Sequence, residues 1–141
     1  MERRASAVWT GALKDGKGTI SAPSGVLTNA AYTFATRFES APGTNPEELI
    51  AAAHSACYSM ALSGKLTAAG FTPARIETTA TVTLEKTDAG QTITRSHLRT
   101  VATVPGASAD AFKKAAEDAK ATCPISRLLN ANITLDATLQ S

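Results

Sequence analysis

Leu49-Ile50-Ala51-Ala52-Ala53-His54-Ser55-Ala56-Cys57-Tyr58-Ser59-Met60-Ala61-Leu62-Ser63 carries no charged residue in fifteen positions. Its alanines and leucines are strong helix formers, and without a charged face it reads as a helix wet on neither side. It is shorter than the roughly 18 to 20 apolar residues of a bilayer span, and His54 with three serines argues further against lipid. The expectation is a core helix of a soluble protein, with one of the chain's two cysteines near its middle.

The ends of that helix are written in the flanking residues. Asn45 is placed to cap it, Pro46 takes the first helical position, where no N–H is missed, and Glu47 and Glu48 complement the positive end of the dipole. Gly70 after Ala69, with Pro73 beyond, is the stop. Pro46 to Ala69 would run on the order of 35 Å at 1.5 Å per residue, and Gly64 offers a place to bend. The small side chains of Ala52, Ala53, Ala56 and Ser59 let another backbone come close, so a second helix is expected on that face.

At 141 residues, the chain reads as a single domain over 1–141, long enough for a core yet short for covering so apolar a helix on all sides. That tension points to a homodimer. The net charge of +2, scattered basic residues and only seven aromatics lack the footprint that nucleic-acid binding requires. Met1-Glu2-Arg3-Arg4 is basic but precedes no apolar run, so a secretory signal is not expected. The cytoplasm is the expected location, where Cys57 and Cys123 would be free or transiently paired.

Before the helix the chain reads as strands. Ala5 to Leu13 and Gly18 to Ala22 flank an Asp15-Gly16 turn, and Tyr32 to Glu39 alternates as a strand with Arg37 on the face opposite Phe34 and Phe38. Gly11 to Gly18 is spaced like a phosphate-binding loop, but Gly18 stands where a magnesium-binding hydroxyl belongs and a strand follows, which rejects it. After the helix, Ala74 to Lys86 and Thr92 to Val104 form an antiparallel hairpin around Asp88-Ala89-Gly90, with one buried face. Ser108 to Ala121 is an amphipathic helix, Cys123-Pro124 opens a short helix, and Asn132 to Leu139 closes as a strand. The fold class is α+β, mostly antiparallel sheets around a long buried central helix.

Two cysteines 66 positions apart make no metal site alone, and adding His54 and His97 reproduces none of the usual zinc spacings. A buried cysteine such as Cys57 is by default a small inert hydrophobe. Cys123, by contrast, precedes Pro124 at a helix N-terminus, where backbone N–H groups lower a thiol pKa. Cys57 gets no such help and needs a fixed cation, for which Arg37 is the leading candidate because a guanidinium stays charged when desolvated. Glu47 or Glu48 would hold Arg37 in a forked pair, with Glu48 better explained as dipole complement. Ten residues of helix, about 15 Å, separate Glu47 from Cys57. If both serve one site, either Arg37 bridges them or an antiparallel copy of the helix supplies the carboxylate. His54, three residues before Cys57, reads as a core histidine bonded to backbone or a hydroxyl rather than a base. His97, Trp9 and Lys113-Lys114 suggest no function.

With these residues in place, the sequence resembles the OsmC/Ohr family, the osmotically inducible protein C and organic hydroperoxide resistance proteins, and most closely the first branch. The matching strings include Gly16-Lys17-Gly18-Thr19, Ser24-Gly25-Val26-Leu27, Thr36-Arg37-Phe38-Glu39, Gly43-Thr44-Asn45-Pro46-Glu47-Glu48 through Ala56-Cys57, Ala69-Gly70-Phe71-Thr72-Pro73, Cys123-Pro124-Ile125-Ser126 and Ile133-Thr134-Leu135-Asp136. The resemblance implies an intertwined homodimer of OsmC-like fold with two active sites at the subunit interface. It implies a thiol peroxidase acting on organic, and less efficiently inorganic, hydroperoxides, in protection against oxidative or osmotic stress. Cys57 would be the peroxidatic cysteine, Cys123 the resolving one, and Arg37 with Glu47 the pair that activates and orients the first. The expected product is a Cys57–Cys123 disulfide reopened by a dithiol reductant, a role that lipoyl proteins fill in the Ohr branch. No metal, flavin or haem is called for. Tyr58, Met60 and Phe34 are the apolar residues expected to favour alkyl hydroperoxides. Two other classes fit the same residues: a dimeric binder of small apolar ligands with passive cysteines, and a general thiol-disulfide oxidoreductase.

Overall fold

Thr33 and Thr36 decide the local structure around Arg37. In the computed structural model, which describes residues 1–141, the Thr33 hydroxyl accepts from the Thr36 N–H at 3.2 Å and the Thr36 hydroxyl accepts from the Thr33 N–H at 2.9 Å. This reciprocal cap starts a short helix. The segment read as one strand from Tyr32 to Glu39 is therefore a three-residue strand, Ala30–Tyr32, followed by a helix, Phe34–Phe38. Phe34 and Phe38 alternate with polar residues, which suits a strand, but they also stand four apart and so share one helical face, with ring centroids at 4.9 Å.

The chain forms two compact units, Met1–Leu49 and Ile50–Ser141. The first holds β1 (Ser6–Thr10), β2 (Lys17–Ser21), β3 (Ala30–Tyr32) and α1 (Phe34–Phe38). The strands make an antiparallel sheet in sequence order, with Trp9 opposite Gly18 and Gly18 opposite Tyr32. The Trp9 and Tyr32 rings meet at 5.4 Å between centroids, and a Cβ on Gly18 would collide with both. That is the physical use of the glycine whose presence argued against a phosphate loop.

α2 (Pro46–Ala68) begins in the first unit and runs unbroken through Gly64 into the second. Asn45 caps it, its Oδ1 accepting from the Glu48 N–H at 2.8 Å. At the other end Gly70, at φ +87°, lets the Phe71 N–H reach the Leu66 carbonyl at 2.9 Å and its own N–H reach that of Thr67 at 3.0 Å, closing the helix in a Schellman motif.

The second unit adds β4 (Arg75–Thr87), β5 (Gly90–Thr103), α3 (Ala109–Thr122), α4 (Pro124–Leu128) and β6 (Asn132–Gln140). β4 and β5 form the expected hairpin across Asp88-Ala89. β6 returns parallel to β5 after the α3–α4 crossover, making β5 the central strand. Every second residue of β5 from Ser96 to Ala102, and Val104 beyond, points inward and is buried. Leu98, Ala102 and Val104 among them pack with Tyr58, Leu62 and Leu66 of α2 and with Phe112, Ala115, Ala116 and Ala119 of α3 in one core. The sequence reading expected α2 to be enclosed. Within one chain the stripe His54, Tyr58, Leu62 and Leu66 is buried, as is Glu47 in the first turn, while Ala52, Ala53, Ala56 and Met60 lie open.

Candidate active site

In the second unit the two cysteines meet. Cys57 sits mid-way along α2 and is half-buried, and Cys123 is fully buried at the α3–α4 junction. Pro124 makes that junction. It disfavours helical backbone at the residue before it, so Cys123 turns to φ −54° and ψ 128° and ends α3, while Pro124 opens α4. The turn directs the Cys123 sulfur inward, 2.7 Å from the Cys57 sulfur. Both thiols are free, and a disulfide would need the sulfurs to close to about 2.05 Å.

Burial pushes the Cys57 thiol above its ordinary pKa, the adjacent Cys123 thiol adds to that, and the Ile125 backbone N–H pulls it down. The sequence reading assigned the benefit of this helix terminus to Cys123. That sulfur makes no capping bond to α4, and the first-turn donor that acts on a thiol acts on Cys57. Within its own unit Cys57 is thus a thiol that desolvation keeps protonated at neutral pH.

His54 is fully buried three residues before Cys57, with Nδ1 2.7 Å from the Ser96 hydroxyl and Nε2 2.8 Å from the Ser126 hydroxyl. Burial lowers its pKa, so the ring is neutral and pairs one nitrogen as donor and the other as acceptor. This is the hydroxyl-bonded core histidine expected from the sequence. Its two partners were not foreseen. A serine in the inward phase of β5, next to Leu98, signals a buried polar partner, which would have flagged Ser96. Nothing local marks Ser126.

In the first unit Arg37 lies on α1 and meets Glu47 in the first turn of α2. Its Nε donates to both carboxylate oxygens at 3.2 Å, and Nη2 donates to Oε1 at 2.8 Å. Glu48 instead accepts from the Thr44 hydroxyl at 2.9 Å and is exposed. Glu47 is thus the partner of Arg37, as the sequence reading expects, and Glu48 stays at the helix end. Thr36 fixes the approach, its carbonyl accepting from Asn45 Nδ2 at 3.1 Å. The Arg37 guanidinium also covers the Phe38 ring at 5.0 Å, at the edge of a cavity of about 250 Å³ lined by Trp9, Leu13, Tyr32 and Phe34. Tyr58, expected among the apolar residues around a substrate, is instead wholly enclosed in the core of the second unit.

No three His, Cys, Asp or Glu side chains converge as metal ligands would. No helix is long and apolar enough to cross a membrane.

The model of the family described as OsmC-like protein matches residues 39–138. The chain is 53% identical over 141 residues to Peroxiredoxin OsmC of Escherichia coli strain K12, covering 100% of this chain and 99% of that protein. Among solved structures it is similar to an OsmC-like protein from Mycoplasma pneumoniae, with TM-score 0.78 at 17% identity over 100% of this chain and 99% of that one. It is also similar to the organic hydroperoxide resistance protein OhrB of Bacillus subtilis, with TM-score 0.67 at 22% identity over 97% and 98%.

Proposed function

The chain belongs to the OsmC family, and on that premise we propose that it is a cysteine-based thiol peroxidase that reduces organic, and less efficiently inorganic, hydroperoxides. The observation that carries the reading is the 2.7 Å approach of two free sulfurs 66 residues apart. A passive core cysteine has no need of a second thiol at that range. The Cys57 thiolate attacks the terminal oxygen of the hydroperoxide, the O–O bond breaks, and the alkoxide leaves with a proton as the alcohol. The resulting sulfenic acid is attacked by the Cys123 thiol, forming the Cys57–Cys123 disulfide and releasing water. An external dithiol, of which a lipoyl protein is one chemical type, reopens it. The cycle needs a reducing compartment, which supports the cytoplasm as its location, with protection against oxidative or osmotic stress as its role.

Arg37 is the proposed cation, stabilising the thiolate and the leaving oxygen, and Glu47 fixes its guanidinium by the forked pair. The aromatic cavity beside Arg37 supports a preference for alkyl hydroperoxides. The open Ala52, Ala53, Ala56 and Met60 face of α2 supports a homodimer, in which the Arg37–Glu47 pair of one copy serves Cys57 of the other. The matched length of the relatives supports treating 1–141 as one functional domain.

One equivalent of cumene hydroperoxide added to reduced protein tests the reading. Both thiols should disappear, and digestion without reductant should give a peptide linked through Cys57 and Cys123. Two titratable thiols left after treatment would identify a passive binder. Full hydroperoxide removal by a Cys57→Ser variant would exclude the assignment.

A further inference from the structure

The two sulfurs are not the only bridge between α2 and α4. His54 lies three residues before Cys57 on α2, and Ser126 lies three residues after Cys123 on α4. The His54–Ser126 bond at 2.8 Å and the sulfur pair at 2.7 Å are therefore successive rungs between the same two elements, one helical turn apart. Resting on the peroxidase reading, we propose that His54 is a positioning residue for the second chemical step: its bond to Ser126 holds α4 in register so that Cys123 can reach the sulfenic acid formed on Cys57.

α4 needs such a pin. It has five residues and begins at a proline without an N–H, and the backbone bonds from Arg127 to Cys123 and from Leu129 to Ile125 tie it to its two flanks. So short a helix does not support itself. Its inward anchors are the apolar contact of Ile125 with the core and the hydroxyl of Ser126, while Leu128 points outward. The pin has a firm base, because the other ring nitrogen is held at 2.7 Å by Ser96 on the central strand β5. The sulfur rung changes covalent state during the cycle: two thiols, then a sulfenic acid and a thiol, then a disulfide. The imidazole–serine rung keeps its bonding throughout. It is most needed while Cys57 is a sulfenic acid, when the added oxygen must be accommodated and no bond yet joins the sulfurs. Closing the ring forms the S–S bond, breaks the S–O bond of the sulfenic acid and releases water, with the thiol proton leaving in that water. This step depends on the line between the two sulfurs. The first oxidation involves Cys57, the hydroperoxide and the proposed Arg37 cation but not the Cys123 sulfur, and any loss of the Ile125 N–H at Cys57 slows that step without entering the adduct-to-disulfide ratio, which compares two fates of the same sulfenic acid.

His54 is fully enclosed and its replacement endangers the core, so the test is made at half-buried Ser126, with S126A and the hydroxyl-restoring S126T. Reduced full-length proteins receive one equivalent of cumene hydroperoxide in the presence of dimedone, which traps sulfenic acid. Hydroperoxide consumption is followed, and digestion without reductant gives the ratio of Cys57–dimedone adduct to Cys57–Cys123 disulfide. A reactive pair displaced by on the order of 1 Å loses up to about 100-fold in rate. S126A is therefore expected to consume hydroperoxide yet raise the adduct-to-disulfide ratio at least about tenfold, with S126T returning it towards wild type. A variant that was merely less stable would lose both steps together and leave the ratio unchanged. An S126A ratio equal to wild type overturns the pin while leaving the peroxidase reading standing. A wild-type protein that consumes no hydroperoxide overturns both.

Discussion

Glu47→Gln keeps the shape of the Arg37 partner and removes its charge. If the amide carbonyl takes the place of Oε1, the Nη2 contact at 2.8 Å and one Nε contact at 3.2 Å survive, while the other oxygen becomes an NH₂ group facing the Nε–H donor. Hydrogen bonds to a charged partner contribute about 1.5 to 3 kcal/mol and neutral ones about 0.5 to 1.5, so the exchange costs about 1 to 2 kcal/mol. The Glu47 side chain is 11% exposed but that of Arg37 is 37% exposed, so solvent screening moves the stability loss to the lower end, about 1 kcal/mol. This corresponds to roughly 3 °C in melting temperature for a chain of this length. The effect on rate should be larger than on stability. Removing a preorganised donor outright costs about 100- to 1,000-fold in other enzymes, and a guanidinium present but loosely aimed should cost about 10- to 100-fold. The assay is the second-order rate constant for Cys57 oxidation by cumene hydroperoxide under single-turnover conditions, beside a thermal melt. Glu48→Gln is the control, because Glu48 touches only Thr44 and the helix end, and should stay within about twofold. An E47Q rate constant within about twofold of wild type, whatever the melt shows, would refute the claim that the forked pair activates the thiol.

Further outcomes are expected. Asn45→Ala removes both the α2 cap and the bond to the Thr36 carbonyl that ties α1 to it, and should lower the unfolding free energy by about 1 to 2 kcal/mol in a urea titration. Gly18→Ala drives a methyl group into the Trp9 and Tyr32 rings and should cost about 1 to 3 kcal/mol, with the Trp9 emission spectrum shifted. Cys123→Ser should still consume one equivalent of hydroperoxide but stop at the Cys57 sulfenic acid and then overoxidise, read by mass spectrometry. Stability should fall as pH drops below the ordinary imidazole value of 6.5, because the unfolded chain binds a proton at His54 that the folded chain refuses. Urea midpoints between about pH 8 and 5 check this, and a midpoint unchanged across that range would contradict it.

Much of this was readable from the order of residues. Asn45-Pro46-Glu47-Glu48 and Ala69-Gly70 marked the ends of α2 because caps and stops are local chemistry, settled by hydroxyls, amides and a glycine within one helical turn. The β4–β5 hairpin and α3 were likewise carried by short-range periodicity. α1 was misread because the Phe34-to-Phe38 spacing satisfies a period of two and a period of four equally, and two threonine hydroxyls broke the tie. The open face of α2 was not legible either, since burial is a property of what packs against a surface and not of the residues on it.

What the chain determined by itself was which groups are available: two thiols, one well-placed guanidinium, two adjacent carboxylates and a histidine one turn from a cysteine. Only tertiary structure decided who meets whom. It turned the Ile125 N–H to Cys57 and not Cys123, and closed a His54–Ser126 bond across 72 positions of sequence. Such pairings depend on the directions in which packed helices and strands present their side chains. Those directions are set by the core as a whole, and no window of neighbouring residues encodes them.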